Sequence, residues 1–199
     1  MLAAPTPALL DALATRLGPQ GFSRDPHDLE PALTDWRGRY HGKAAALLSP
    51  ANRDEVVAIV RACAGARVAI VPQGGNTGMV GGATPDASGG AVVLSLKRMR
   101  GTRIDVQSDL AICEAGVVLA DLHAKAEDLG RRFPLSLGAK GTATIGGLCS
   151  TNAGGVQVLR FGTMRSLTPS MIEDLLRIAE GRQEAIYRVI KQLRDAVDS

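Results

Sequence analysis

Two glycine-rich stretches have the clearest chemical potential in this sequence. The first, PQGGNTGMVGG (72–82), has five glycines in eleven residues and directly follows the apolar run VAIV. The second, GAKGTATIGGLCSTNAGG (138–155), has six glycines in eighteen. Glycine in a loop costs chain entropy. Such loops are therefore expected where the backbone turns through left-handed conformations, or where something approaches it more closely than a Cβ permits.

Backbone amides without side chains are suited to bind phosphate oxygens, because successive N–H groups form a concave anion site. Neither stretch contains a carboxylate that would repel phosphate, and the spacing G-G-x-x-G-x-x-G-G is neither a P-loop nor a Rossmann fingerprint. The polar side chains between the glycines are Asn76, Thr77, Thr142, Thr144, Ser150, Thr151 and Asn152. A mobile surface loop is the alternative interpretation of either stretch alone. Two such loops favour a pyrophosphate cradle.

Composition argues against several classes of function. Twenty-three Lys and Arg against twenty Asp and Glu leave a net charge of +3. No basic cluster is interleaved with aromatic residues, so no nucleic-acid partner is expected. Cys63, Cys113 and Cys149 lack metal-ligand or C-x-x-C spacing, which predicts no metal site and favours reduced thiols in a cytoplasmic protein. No apolar run is long enough to span a membrane, and no secretory signal is expected at the start.

Candidate catalytic residues are missing from the pattern. No Ser-His-Asp, Cys-His or paired-carboxylate arrangement stands out, so hydrolytic chemistry has no support and no catalytic residue is assigned. Trp36, the only tryptophan, lies within TDWRGRYHG (34–42). It is interpreted as a packing anchor, with a substrate-facing role as the alternative.

The predicted elements place the first glycine loop at the end of a strand. Apolar spacing predicts a helix over 7–17 that stops at Gly18. A strand at 44–50, a helix at 52–66 and a strand at 68–72 then form a βαβ unit. Ligands of α/β sheets bind at the carboxyl ends of strands, which is where this loop begins.

Further strands are predicted at 91–96 and 110–116, followed by a helix at 118–130. With the βαβ unit they indicate an α+β fold.

The two stretches resemble the FAD loops of a known group of flavoproteins. PQGGNTGMVGG with the following TPDASGGAVVLSLKRM resembles the first FAD loop of proteins with a PCMH-type FAD-binding domain, the vanillyl-alcohol oxidase superfamily. FPLSLGAKGTATIGGLCSTNAGGVQVLRFGTMR (133–165) resembles the second loop. Within the superfamily the sequence is most similar to FAD-linked D-2-hydroxyacid dehydrogenases of the D-lactate, glycolate-oxidase-subunit and D-2-hydroxyglutarate type. TDWRGRYHG fits the same group.

The resemblance implies cofactor-binding roles for residues of both loops. Those expected to wrap the FAD pyrophosphate, or to let the first loop return beneath it, are Pro72, Gly74, Gly75, Asn76, Thr77, Gly78, Gly81 and Gly82. Those expected along the ribityl chain and the isoalloxazine are Gly138, Gly141, Thr142, Ile145, Gly146, Gly147, Asn152, Ala153 and Gly154. Superfamily members that attach FAD covalently through the first loop carry histidine at the position of Asn76. The FAD is therefore expected to be noncovalent.

The resemblance also implies a domain organisation. Residues 1–32 are expected to be an N-terminal helix and lead-in, and 33–166 an incomplete PCMH-type domain with its first βαβ subdomain and the start of the second. After GTMRSL the family continues with a strand, whereas here TPSMIEDLLRIAEGRQEAIYRVIKQLRDAVDS follows, with apolar residues at helical spacing. Residues 167–199 are thus expected to be a helical tail. A gene truncation, a frameshift or a fused segment would each explain the departure.

The implied function is the FAD-binding portion of an oxidoreductase that transfers a hydride from the α-carbon of a D-2-hydroxy acid to flavin N5. The parts of the family that grip adenine and bear the substrate are expected to be missing, so the chain alone is expected to be inactive. The alternative is a non-catalytic module that binds flavin or a partner, with its amphipathic C-terminal helix mediating self-association or binding a partner chain.

Overall fold

The computed structural model describes residues 2–168. The predicted C-terminal helix over 170–197 lies outside these residues. In chain order the elements are α1 (Pro7–Gly21), β1 (Phe22–Ser23), α2 (Pro26–Leu33), β2 (Ala46–Leu48), α3 (Arg53–Gly65), β3 (Ala69–Gln73), β4 (Ala91–Ser95), β5 (Thr102–Asp105), β6 (Leu110–Cys113), α4 (Leu119–Asp128), α5 (Ile145–Ser150), α6 (Val158–Phe161) and α7 (Met164–Leu167).

The first sheet has the strand order β1-β2-β4-β3. Strands β2, β4 and β3 are parallel, and β1 is antiparallel to β2. The predicted βαβ unit is present as β2-α3-β3, with β4 inserted between its two strands. Strand β4 is buried along its whole length, which explains why it begins with the apolar run AVVL. Strand β3 lies at the edge, where Pro72 is tolerated because an edge strand has an N–H side without a partner strand.

Asn52 caps the start of helix α3. The Asn52 side chain accepts a hydrogen bond from the Glu55 amide at 2.9 Å, and the Glu55 carboxylate accepts one from the Ala51 amide at 2.7 Å. This reciprocal arrangement satisfies amides that a helix start leaves without partners. Ile59 and Cys63 on its inner face are buried in the first core with the sheet and α1.

Two features of the N-terminal part differ from the sequence expectation. Helix α1 does not end at Gly18 but continues to Gly21 through a kink, since Gly18 has a φ of 66°. The polar lead-in contains a helix, α2, which begins with Pro26 in its first turn after the Asp25 cap. Proline fits there because its missing N–H would have no helical partner.

A second core lies beneath the second glycine stretch. The antiparallel pair β5-β6 and helices α4, α5 and α7 surround it. Val118 pairs with Thr144 in an isolated bridge, which fixes the second stretch to the start of α4. Cys113 and Cys149 are half-buried here, and burial raises the pKa of both thiols, so they pack as small apolar groups.

Within residues 2–168, no helix is long and apolar enough to cross a membrane. The same residues contain no cluster of three or more His, Cys, Asp or Glu side chains that could hold a metal ion.

Candidate cofactor-binding site

The two glycine loops lie in direct contact. A Cβ built on Gly75 would overlap the Thr142 carbonyl group, with 2.6 Å to its carbon atom. A Cβ on Gly74 would overlap the Thr144 hydroxyl. No side chain fits at either position, so these glycines are required by the packing of one loop on the other.

The first loop presents a continuous run of free backbone donors. From Gly74 to Ala83, no amide donates a hydrogen bond to any acceptor in the described part of the chain. Asn76 and Gly81 have φ angles of 53° and 73°, so the loop passes twice through the left-handed region. Asparagine and glycine adopt this region most readily. The result is a turning backbone whose N–H groups are available to an anion.

Four glycines of the two loops have open space where a side chain would be: Gly78, Gly82, Gly138 and Gly141. Apart from the glycine and the residues on either side of it, no described residue has an atom within 4 Å of a Cβ built at any of these positions, and none of the four has a positive φ. Neither packing nor backbone conformation explains the glycine there. The backbone at these four positions therefore has open space beside it.

The start of α5 is held by the protein itself. The Thr144 hydroxyl accepts a hydrogen bond from the Gly147 amide at 3.4 Å. A Cβ on Gly146 would lie 2.7 Å from that of Ala115. Ile145 is 8% exposed and packs in the second core. Its side chain therefore points away from the glycine surface, which leaves only its backbone for the flavin contact expected of it.

The end of the second stretch is also closed by internal contacts. Asn152 has a φ of 46°, and its side-chain oxygen accepts a hydrogen bond from the Arg165 amide at 2.9 Å. The Ala153 carbonyl accepts one from the Met164 amide at 2.9 Å. A Cβ built on Gly154 would lie 3.5 Å from the Val158 side chain, an ordinary contact distance. These residues anchor α7 to the loop, a role that the resemblance did not predict.

The side chains of the first loop face different partners. Asn76 donates from Nδ2 to the Thr34 carbonyl oxygen at 2.7 Å, so its amide nitrogen is held by the protein. Thr77 has no hydrogen-bond partner in residues 2–168. Gln73, which the sequence analysis did not select, donates from Nε2 to the carbonyl oxygens of Ala32 and Ala83. A polar residue at the end of an apolar strand is the only sequence signal for it.

Residues 34–42 form a turn around Asp35, whose carboxylate accepts hydrogen bonds from the amides of Tyr40, Arg39 and Arg37. These donors, the Tyr40 amide most strongly, lower the pKa of Asp35 below its ordinary value. The Tyr40 ring covers Gly81, where a Cβ would lie 3.0 Å from the ring. The turn is thus a support for the far end of the first loop.

Trp36 is not the packing anchor expected from the sequence. It is 58% exposed, and the Arg37 guanidinium lies 4.9 Å from its ring centroid. Arg37 also contacts the Met79 sulfur at 3.7 Å. A cation over the exposed indole face stabilises this arrangement without burial.

Comparison with protein families identifies the fold. A family described as an FAD binding domain matches residues 44–171, which include both glycine loops. The chain belongs to this FAD-binding family. The PCMH-type identification made from the two loops is thereby confirmed, together with the α+β fold class.

Individual proteins similar in sequence to this chain are dehydrogenases and a transhydrogenase. D-2-hydroxyglutarate dehydrogenase, mitochondrial, of Bos taurus is 43% identical over 156 residues, which are 77% of this chain and 28% of that protein. D-2-hydroxyglutarate–pyruvate transhydrogenase of Saccharomyces cerevisiae is 38% identical over 143 residues, 71% of this chain and 28% of that protein. The chain therefore spans about 28% of the length of these two curated relatives.

A solved structure shows the same fold at low identity. Alkyldihydroxyacetonephosphate synthase superimposes with a TM-score of 0.73 at 19% identity, covering 82% of this chain and 32% of that one. The FAD-binding domain architecture is thus present in the described residues.

Proposed function

We propose that this chain binds FAD noncovalently, as the FAD-binding portion of an oxidoreductase that acts on D-2-hydroxy acids. The observation that carries the proposal is the run of amides from Gly74 to Ala83, which donate to nothing within residues 2–168. Beside them, the glycines with open space leave room for a ligand against the backbone. A pyrophosphate offers the oxygen acceptors that such a run of donors requires.

The proposed contacts follow the course of the two loops. The first loop would donate its amides to the pyrophosphate, and the second would pass along the ribityl chain and the ring. The residues proposed to contribute are Pro72, Gly74, Gly75, Asn76, Thr77, Gly78, Gly81, Gly82, Gly138, Gly141, Thr142, Ile145, Gly146, Gly147, Asn152, Ala153 and Gly154. Gly146, Asn152 and Ala153 would act by shaping the loops, since their own contacts are within the protein. Gly74 and Gly75 would shape the contact between the loops and also donate, because their amides have no acceptor within residues 2–168. The domain bounds 33–166 are part of this proposal.

The D-2-hydroxy acid substrate is supported by the names of the relatives, which act on D-2-hydroxyglutarate. When bound, FAD would supply the hydride acceptor for the substrate α-carbon. The loops of this chain would hold the cofactor and, through amides near the ring, set its electron affinity. Neither 72–82 nor 138–155 contains a carboxylate or an imidazole to take the hydroxyl proton. Catalysis by this chain alone is therefore not expected.

The test of the proposal is a calorimetric titration of the purified, cofactor-free chain with FAD. Riboflavin, which has the ring and ribityl chain without the phosphates, is the matched comparison. A pyrophosphate cradle predicts measurable FAD binding and riboflavin affinity lower by at least about tenfold, since charge-assisted hydrogen bonds are the strong ones. No heat with FAD, or equal affinity for both ligands, would contradict the proposal.

The noncovalent attachment has its own test. The Asn76 carboxamide is not a nucleophile toward the flavin methyl group, and its nitrogen is held by the Thr34 carbonyl. Acid precipitation of the FAD complex is expected to release all flavin into the supernatant. Yellow colour in the washed pellet would overturn this expectation.

The inactivity of the isolated chain is tested by stopped-flow mixing of its FAD complex with D-lactate or D-2-hydroxyglutarate. We expect the flavin absorbance to remain unchanged relative to buffer. Substrate-dependent bleaching would show that the chain holds a competent site by itself.

A partner-binding role rests on the C-terminal segment, which lies outside the described residues. Its apolar residues at helical spacing would be covered by another copy of the chain. Changing Leu193 to Asp is then expected to shift the sizing profile toward monomer, with Asp195→Asn as a control that leaves the apolar spacing intact. An unchanged profile would argue against this route to self-association.

The cytoplasmic location is likewise proposed, on the basis of three cysteines that form no disulfide in the described residues. The Bos taurus relative carries the word mitochondrial in its name. Fractionation of cells that express the tagged full chain would separate the two compartments.

A further inference from the structure

Gln73, the last residue of β3, is a buried polar side chain at the entrance to the first loop. It is 2% exposed. Its Nε2 donates to the Ala32 carbonyl oxygen at 3.0 Å and to the Ala83 carbonyl oxygen at 2.9 Å. Two carbonyl acceptors require the two N–H donors of the amide, which fixes its orientation. One side chain thus joins the beginning of the loop to its end and to the last turn of α2.

Asn76 makes a second connection to the same place. Its Nδ2 donates to the Thr34 carbonyl oxygen at 2.7 Å, two residues beyond Ala32. Carbonyl groups at the end of a helix lack helical partners and carry partial negative charge. The amide groups of Gln73 and Asn76 satisfy this charge, which would otherwise lie next to the proposed phosphate site.

These connections matter because the loop between them lacks internal support. None of its amides from Gly74 to Ala83 donates within the described chain, and several of its residues are glycine. A loop of this composition has many backbone conformations to lose when it binds a ligand. Fixing its two ends beforehand reduces that cost.

We propose that Gln73 is a positioning residue, which holds the first loop in its FAD-binding shape before the cofactor binds. The inference rests on the proposed FAD site. Gln73 touches no part of FAD in this account and acts through the loop amides. A simpler interpretation is that Gln73 only satisfies two buried carbonyl groups and contributes to global stability. The two interpretations differ in what the loop does in the cofactor-free protein.

The test compares two variants of the full chain. Gln73→Met keeps the length of the side chain and removes both donors. Ile59→Val, in the core on α3, lowers stability without touching the loop. For each protein, calorimetry gives the FAD dissociation constant, thermal unfolding gives the melting temperature, and amide NMR relaxation gives order parameters for Gly74–Gly78 without cofactor.

A positioning role predicts order parameters near the rigid value of about 0.85 in the unchanged protein, falling below about 0.6 in Gln73→Met. FAD should bind this variant about tenfold more weakly, because the loop must then be ordered when the cofactor binds. Ile59→Val should lower the melting temperature and leave both loop measurements unchanged.

The idea is overturned if Gln73→Met keeps a rigid loop, or if its FAD affinity falls no more than that of Ile59→Val. Should Gln73→Met fail to fold, the unchanged protein decides: a loop already flexible without FAD contradicts a preformed site, and a rigid one supports it. Failure of the unchanged chain to bind FAD would refute the proposed function instead. The order parameters would then still show whether Gln73 fixes the loop.

Discussion

The two glycine loops have similar composition and are held in different ways. The first has free amides and depends on side chains at its borders, Gln73, Asn76 and the turn at Asp35. The second uses most of its amides internally, begins a helix at Ile145 and packs on its own core. Glycine content alone therefore does not define a loop's role. We infer that the first loop supplies hydrogen-bond donors to a ligand and that the second loop supports the first.

The contact between the loops is expected to show the largest effect. Gly75→Ala would drive a Cβ into the Thr142 carbonyl group and force the loops apart. We expect a loss of about 3 kcal/mol in unfolding free energy, at the upper end for overpacking. Gly141→Ala, with open space at its Cβ, should change this value by less than about 0.5 kcal/mol. Urea unfolding of both variants measures the difference. Similar unfolding free energies for the two variants would contradict the contact between Gly75 and Thr142.

The internal support of the second loop is tested at Asn152. Asn152→Gly loses the hydrogen bond to the Arg165 amide but tolerates the φ of 46°, so we expect a loss of about 1 kcal/mol. Asn152→Ala also strains the left-handed backbone and should lose about 2 kcal/mol. Chemical denaturation gives both numbers. Equal losses would mean that backbone conformation contributes nothing at this position.

The contribution of the Asp35 turn, which supports the first loop, to stability should depend on pH. The pKa of Asp35 is lowered in the folded chain from an unfolded value of 3.8, chiefly by the Tyr40 amide. Its contribution to stability is therefore complete above the unfolded pKa and is lost as pH falls through the folded pKa. The stability difference between the unchanged protein and Asp35→Asn should shrink as pH falls below about 4. A difference that stays constant down to about pH 2 would contradict this linkage.

The sequence predicted the parts of the fold that depend on local pattern. The strands around the first loop and helix α3 follow from apolar spacing. Helix α2 is not predicted from the sequence because its eight residues include Pro26 and Pro31, which weaken a helical pattern. Gly18 predicts the end of α1 but forms a kink within it, since glycine occurs both at helix ends and at kinks.

The sequence predicts which two loops form the candidate site, but not how the residues of those loops pack. Gly75 and Gly78 belong to one motif, yet one packs on Thr142 and the other faces open space. That difference depends on a contact between residues far apart in the chain, which no local pattern records. The same holds for Gln73, whose partners Ala32 and Ala83 lie on two separate segments.

The central claim, that the open glycines of these loops leave room for FAD, is tested most directly by a matched pair. Gly78 and Gly65 both have no neighbour within 4 Å of a built Cβ, but Gly65 ends α3, outside the two loops. Gly78→Val should weaken FAD binding by at least about tenfold while changing unfolding free energy by less than about 0.5 kcal/mol. Gly65→Val should leave the FAD dissociation constant unchanged. Equal FAD affinity in the two variants, measured by calorimetry, would contradict the account.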